Sequence, residues 1–172
     1  MTGKLISLRA PEPEDIDALF AWENDMADWR MSHTISPYSR FAIEQYVLNA
    51  HHDIFADKQL RLMISLVKTP DKPVGAIDMF DFDPLHRRAA VGIIVQKKDR
   101  RKGFAAEALQ LLIQYSFNTL NLHQLYCQIS TDNPPSIHLF TKAGFKQTAI
   151  RKEWTWTRNG WIDEITMQLI KA

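Results

Sequence analysis

Apolar and polar positions change their period repeatedly along this chain, and each change marks an element. Lys4 to Leu8 alternates and predicts a strand. Pro13 to Glu23 puts Ile16, Leu19 and Phe20 on one side with acidic residues in the first turn, the pattern of a helix. A second helix is expected from about Ser39 to Ala50, with Phe41, Ile43, Tyr46, Val47 and Leu48 as its apolar surface. The period then shortens. Leu60 to Val67 predicts a strand, Pro70 to Pro73 a turn, Val74 to Phe82 a second strand and Arg88 to Val95 a third, with connections short enough for an antiparallel set. The helical period returns from Arg101 to about Thr119, where Ala105, Ala108, Leu109, Leu112 and Ser116 form a slim face widened by Ile113, Phe117 and Leu120. Leu125 to Ile129 is again strand-like, Pro134 and Pro135 open a helix that Gly144 stops, and Lys152–Thr157 and Trp161–Ile170 flank Arg158-Asn159-Gly160. Asn-Gly is the preferred two-residue hairpin turn. Helices interleaved with a largely antiparallel sheet predict an α+β domain.

A length of 172 residues implies one domain, 1–172, without a linker. The formal net charge of +1 provides no general attraction for nucleic acid or an anionic membrane, so neither is expected as a partner. The longest apolar run is about a third of a bilayer span, and Met1 to Arg9 lacks a signal-peptide pattern, which makes the cytoplasm the expected location. Cys127 is the only cysteine, so no internal disulfide forms; in LYCQI it reads as a small buried hydrophobe. Histidine and carboxylate spacing shows no metal triad, and no metal is expected.

Within this neutral background Lys97 to Lys102 is a local exception. The stretch Gln96 to Glu107, QKKDRRKGFAAE, joins a strand to a helix through a basic glycine turn. A helix start leaves its first N–H groups without partners and carries partial positive charge, so it favours phosphate. Gly103 lets the main chain approach a ligand without a Cβ, Ala105 and Ala106 keep the first turn slim, and Arg100, Arg101 and Lys102 add mobile charge. A solvated basic turn is the competing reading. The Gly-Lys-Ser/Thr ending and the G-x-G-x-x-G of dinucleotide folds are both absent.

The spacing of Arg100, Gly103 and Ala105 resembles the pyrophosphate loop of the GCN5-related N-acetyltransferases (GNAT), which hold acetyl-coenzyme A. Thr131 to Phe145, TDNPPSIHLFTKAGF, is similar to that family's second motif, with Asn133, Ser136, Phe140, Lys142, Gly144 and Phe145 at its spacing. The resemblance covers nearly the whole chain. LISLRAPEPEDIDALFAWEN looks like the branch containing ribosomal-protein alanine and spermidine N-acetyltransferases, and VGAIDMFDFDPLHRRAAVGIIV is most like the spermidine enzymes. The resemblance implies the GNAT fold, a twisted, mostly antiparallel sheet in which the strands of Ala89–Val95 and Leu125–Ile129 splay apart. It implies acetyl-CoA as co-substrate. The pantetheine amides would pair near Ile93, Ile94 and Val95, the pyrophosphate would lie on Arg100, Arg101, Lys102, Gly103, Phe104, Ala105 and Ala106, and Asn133, Ser136, Phe140 and Lys142 would form the other wall. A homodimer or larger homo-oligomer is also implied, with the tryptophan-rich terminal hairpin as a possible surface.

The implied reaction is acyl transfer from a thioester to an amine. A lysine-like amine is neutral in only about one molecule in a thousand at pH 7.5, a handicap of roughly 4 kcal/mol, so a proton must be removed. Asp78 and Asp81 are the candidate bases, with Asp83 behind them as a substrate contact. On a regular strand Asp78 and Asp81 face opposite sides, which a bulge would change. Structural pairing with Arg87 and Arg88 is the alternative for these acids. Trp29 and His33, in the segment that roofs the acceptor site of the family, are further substrate candidates; a core role for Trp22 and Trp29 is the alternative. Phe140 departs from the family's tyrosine, whose hydroxyl protonates the leaving thiolate. The acceptor is expected to be a small-molecule amine, first a polyamine such as spermidine and second a protein N-terminus of the ribosomal-protein alanine type. A CoA-binding sensor with little catalysis is the reading from another class, and antibiotic acetylation a weaker one.

Overall fold

The computed structural model describes residues 1–27, 29, 34–49 and 53–171. Strand β1 (Ile6–Arg9) pairs antiparallel with β2 (Leu60–Leu66), β2 with β3 (Thr69–Asp83), and β3 with β4 (Arg88–Val95). β4 meets β5 (Gln124–Ser130) in parallel, and β7 (Gly160–Ile170) lies between β5 and the edge strand β6 (Lys146–Thr157). The resulting order is β1-β2-β3-β4-β5-β7-β6. This is the α+β class that the periodicity predicts.

Helices cover both faces because strand side chains alternate. On one face α1 (Ile16–Glu23) and α2 (Arg40–Leu48) bring Leu19, Ile43 and Val47 over Met63 and Ala76. On the other, α4 (Phe104–Asn118) and α5 (Pro134–Lys142) join the larger core, where Ala108, Leu109, Leu112 and Phe140 pack with Ile6, Ile77, Leu125 and Met167. The short α3 (Ile54–Asp57) leads into β2 and is capped by Asp53, which accepts from the main chain of Phe55 and Ala56. No described helix is long and apolar enough to cross a membrane.

One ion pair sets where α1 leaves the sheet. Arg9 ends β1 and donates from both Nη atoms to Asp15, at 2.6 and 2.8 Å, and the Glu12 N–H donates to the same carboxylate at 2.8 Å. Asp15 is 1% exposed, so these donors replace the water it has lost.

Four expectations need correction. The turn between β2 and β3 is Val67–Lys68, not Pro70–Pro73; the prolines belong to an irregular opening of β3, where Ser65 faces Pro73 and Leu66 faces Thr69, so the extra residues bulge out. The long helix begins at Phe104 rather than Arg101, because Arg101 and Gly103 have φ of 63° and 86° and cannot continue a helix. The terminal hairpin turns at Arg158–Asn159, one residue before Asn-Gly, with Gly160 already paired to Thr157 at φ 113°. β6 starts at Lys146, not Lys152, since its pairing with β7 is interrupted between Arg151 and Thr155 and resumes on both sides.

Arg9→Ala is expected to lower stability by about 3 kcal/mol, because it strands a buried carboxylate. Urea unfolding measures this; a change within about 0.5 kcal/mol of zero would show that water satisfies Asp15.

Candidate active site

β4 and β5 pair at only three positions, Arg88 with Gln124, Ala89 with Leu125 and Ala90 with Tyr126. Beyond them, Val91–Val95 and Cys127–Ser130 run on without pairing to each other. Each stays bonded on its outer flank, β4 to β3 as far as Val95 and β5 to β7 as far as Ser130. The result is a wedge-shaped gap in the middle of a sheet, with main-chain groups on both walls, among them those of Ile93, Ile94 and Val95. Such groups call for partners from a ligand or from water.

Both following helices start at the open end of this gap, since α4 follows the last residue of β4 and α5 the last residue of β5. That is the end where open α/β sheets receive ligands. Gly103 is the N-cap of α4 with φ 86° and ψ −6°, a left-handed conformation that side chains with a Cβ rarely adopt. The first intrahelical bond runs from Glu107 N–H to Gly103 O at 3.1 Å, which leaves the N–H groups of Phe104, Ala105 and Ala106 before it for an anion. Arg100 Nε donates to Val95 O at 2.9 Å and folds the loop onto the end of β4. Lys102 pairs with Asp99 at 2.7 Å and Lys97 with Asp25 at 2.8 Å, so part of the basic run is matched within the protein. The Lys97 ammonium, with help from the Ala27 N–H, holds Asp25 below the usual carboxylate range.

Asn133 caps α5, its Oδ1 accepting from Ser136 N–H at 3.3 Å. Phe140 is 3% exposed and meets Phe145 edge-on at 5.0 Å, so the ring is a core element. Lys142 is exposed in the last turn, about 13 Å along the helix axis from the cap.

On the face covered by α1 and α2, Asp78 is bound on both oxygens by Arg61, Nε at 2.6 Å and Nη2 at 3.1 Å, while Arg61 Nη1 donates to Glu23 at 2.5 Å. Burial opposes the guanidinium charge, and Asp78 and Glu23 overcome it, holding the Arg61 pKa above its ordinary value. Asp78 is therefore engaged as the partner of a permanent cation. Asp81 is different. It sits in the bulge between Phe80 and Asp83 at φ 50°, is exposed, and accepts from Tyr126 Oη at 3.4 Å. Burial, then the neighbouring Asp81, raises the Tyr126 pKa, so its hydroxyl stays protonated. Asp83 accepts from His86 N–H at 2.9 Å and pairs with Arg88 at 3.2 Å; the His86 bond first, with the nearby cations, lowers its pKa. Trp29 is half-buried and donates to Glu23 O at 2.8 Å. His33 lies outside the described residues.

Sequence reading missed Tyr126, Arg61 and Glu23. Tyr126 alternates with buried Leu125 and Cys127 in LYCQI, so period-2 counting already puts it on the opposite face. The Arg61–Asp78 pairing depends on the register between β2 and β3, which a single strand does not reveal. Cys127 is buried, and burial pushes its thiol up to about 12. A separate cleft of about 260 Å³ beside Arg61, lined by Pro11, Tyr46 and Asp57 among others, opens two strands away from the gap and shares none of its walls.

Residues 6–146 match the acetyltransferase (GNAT) domain, and the chain belongs to this family of N-acetyltransferases. It is 26% identical to the uncharacterized N-acetyltransferase p20 of Bacillus licheniformis over 96% of this chain and 93% of that one. It is 28% identical to spermidine N(1)-acetyltransferase of Vibrio cholerae over 81% of this chain and 78% of the relative. Among solved structures, V. cholerae spermidine N-acetyltransferase in complex with CoA and spermine superposes with a TM-score of 0.84 at 24% identity, over 96% of this chain and 95% of that one, and shares the fold. A dodecameric structure of the same enzyme superposes at 0.79 with 25% identity, over 96% and 93%.

Gly103→Val is expected to weaken CoA binding at least tenfold with little change in far-UV dichroism, because a β-branched residue does not hold φ 86° and the helix start must turn. Unchanged affinity in a calorimetric titration would remove the α4 start from the site. Native protein at pH 7.5 is expected to leave Cys127 unmodified by iodoacetamide and to react fully once unfolded, since the folded thiol is buried and only about one in 3×10⁴ is ionised.

Proposed function

We propose that this chain acetylates a primary amine of a small cationic acceptor, a polyamine of the spermidine kind, with acetyl-CoA as co-substrate. The parting of β4 and β5 beneath the start of α4 carries the co-substrate reading: a ligand with amides along one part and phosphates at the other fits unpaired main-chain edges that lead to unfilled N–H groups. The spermidine enzymes among its relatives support the acceptor class. Acetyl-CoA supplies an activated acetyl group; the chain's task is to deliver a neutral amine to it. Asp81 is the candidate base, because Asp78 and Asp83 already hold arginines. Its neighbour Tyr126 donates to one oxygen and leaves the other to accept the proton of an ammonium, directly or through water.

A second reading has its own support. With Asp78 and Asp83, two of the three candidate aspartates, paired to arginines, the carboxylate of Asp81 suits a single ammonium, as a protein N-terminus presents, better than a multiply charged polyamine. Either acceptor places the protein in the cytoplasm. Self-association is part of the proposal: Trp154, Trp156 and Trp161 on the terminal hairpin are 51%, 63% and 57% exposed, an apolar surface suited to burial against another copy.

Thiol release from acetyl-CoA across spermidine, spermine, diamines and alanine- or serine-starting peptides tests the proposal. Turnover confined to polyamines is expected; turnover confined to peptides would transfer the assignment to the second reading, and binding of CoA without any turnover would leave a sensor. In the same assay Asp81→Asn is expected to lower kcat/KM about a hundredfold with an unchanged KM for acetyl-CoA, and a native rate would remove Asp81 as base. Phe140→Tyr is expected to keep or raise the rate.

A further inference from the structure

Glu107 stands in the opening turn of α4, and its carboxylate reaches to β1 and the residues just before it. The main-chain N–H groups of Lys4, Leu5 and Ile6 all donate to it, Lys4 to Oε1 and Leu5 and Ile6 to Oε2 at 2.9 and 3.1 Å. Through its own N–H, Glu107 also closes the first helical bond onto Gly103 O at 3.1 Å. One residue thus ties the glycine cap to a segment about a hundred positions away. That segment is shaped round the carboxylate: a Cβ on Gly3 would lie 2.5 Å from Glu107 Oε1, and the Leu5 side chain lies beside Gly103, 3.8 Å from the place of its missing Cβ.

This arrangement opposes simple electrostatics. A carboxylate in the turn that would receive a diphosphate repels it, by roughly half a kcal/mol for each phosphate charge at a separation of about 8 Å even in bulk water. Dipole stabilisation of the helix needs only a charge near its start, not three consecutive donors from another element. We propose that Glu107 is a positioning residue for the diphosphate subsite: it bolts the start of α4 to Lys4–Ile6, so that the N–H groups of Phe104, Ala105 and Ala106 hold one direction. The proposal rests on the reading that this turn receives the diphosphate of acetyl-CoA.

The two accounts differ in sign. Glu107→Gln keeps the shape, removes the charge and replaces one of the two acceptor oxygens by an NH₂, which faces either the Lys4 N–H or those of Leu5 and Ile6. Gly3→Ala keeps the charge and the whole of α4 but displaces the carboxylate. Binding of CoA and of pantetheine, which lacks the diphosphate, is measured by calorimetry for the native protein and both variants. Positioning predicts that both substitutions raise the CoA Kd about tenfold and change the pantetheine Kd less than twofold. If Glu107→Gln binds CoA as tightly as the native protein or tighter, charge alone governs and the proposal is wrong. Equal losses for CoA and pantetheine also overturn it, since they report general loosening. A native protein that binds neither compound refutes the acetyl-CoA reading itself, a result separate from any difference between the variants.

Discussion

The separation of β4 from β5 is the constraint on which the rest of the structure depends. A sheet gains stability by pairing main-chain groups, and here its two middle strands stop pairing after Ala90 and Tyr126. An unmade hydrogen bond in a place that excludes water costs about 1–3 kcal/mol per group, so the gap persists only if the surroundings hold both walls and something polar fills it. The outer pairings of β4 with β3 and of β5 with β7 hold the walls. Buried Ala89, Val91, Leu125 and Cys127 fix the base from the side of the larger core. Under the proposed function the polar filler is acetyl-CoA, whose amides would meet the unpaired main-chain groups of both walls.

Charge around the gap follows the same logic of local matching. At the mouth, cations exceed anions even after Lys97 and Lys102 have found Asp25 and Asp99. On the α1–α2 face one arginine lies between two carboxylates, a cluster carrying a single net negative charge. Half-buried ion pairs of this kind contribute little net stability but are costly to break, and they hold side chains in one arrangement. Arg61 thereby joins α1 to β2 and β3, and Tyr46 of α2 packs over the guanidinium at 5.6 Å. α1 and α2 are thus fastened to β2 and β3, and β3 also carries Asp81. Asp81, in contrast, stands on a bulge, where local geometry rather than an ion pair aims it.

Much of this was legible in the chain because the signals are local. The strand read from Arg88 to Val95 coincides with β4, the one read from Val74 to Phe82 with the later part of β3, and the Asn133-Pro-Pro opening and Gly144 stop correspond to α5. Boundaries failed where a backbone angle, not a hydrophobic period, decides: Arg101 and Glu153 have positive φ although neither is glycine. The hairpin slipped by one residue because Thr157 Oγ1 bonds to the Asn159 N–H and, as donor, to Gly160 O, which stabilises a turn that Asn-Gly statistics do not anticipate. At the site, Gly103 was readable from its neighbours. The surroundings of Asp78 and Asp81 were not, because Arg61 reaches Asp78 through the register of β2 on β3, and Tyr126 reaches Asp81 through the β3 bulge and the register of β5 on β4, and register is a property of two strands together.

The absence of a hydroxyl at Phe140 bears on where the chemistry is difficult. Transfer from a thioester needs a proton removed from an amine with a pKa near 10.4 and delivered to a thiolate whose conjugate acid has a pKa near 8.5. At pH 7.5 the first requirement costs about 4 kcal/mol, whereas the thiolate leaves as an already weak base and is protonated by water afterwards. A protein that gives one residue to each proton therefore loses less by omitting the acid than the base. Phe140 fits that asymmetry: the position serves the core, packed against Phe145, while Asp81, the base proposed above, is exposed. For the proposed base exposure has a further use, since a proton taken from an ammonium has to pass on to solvent before the next turnover.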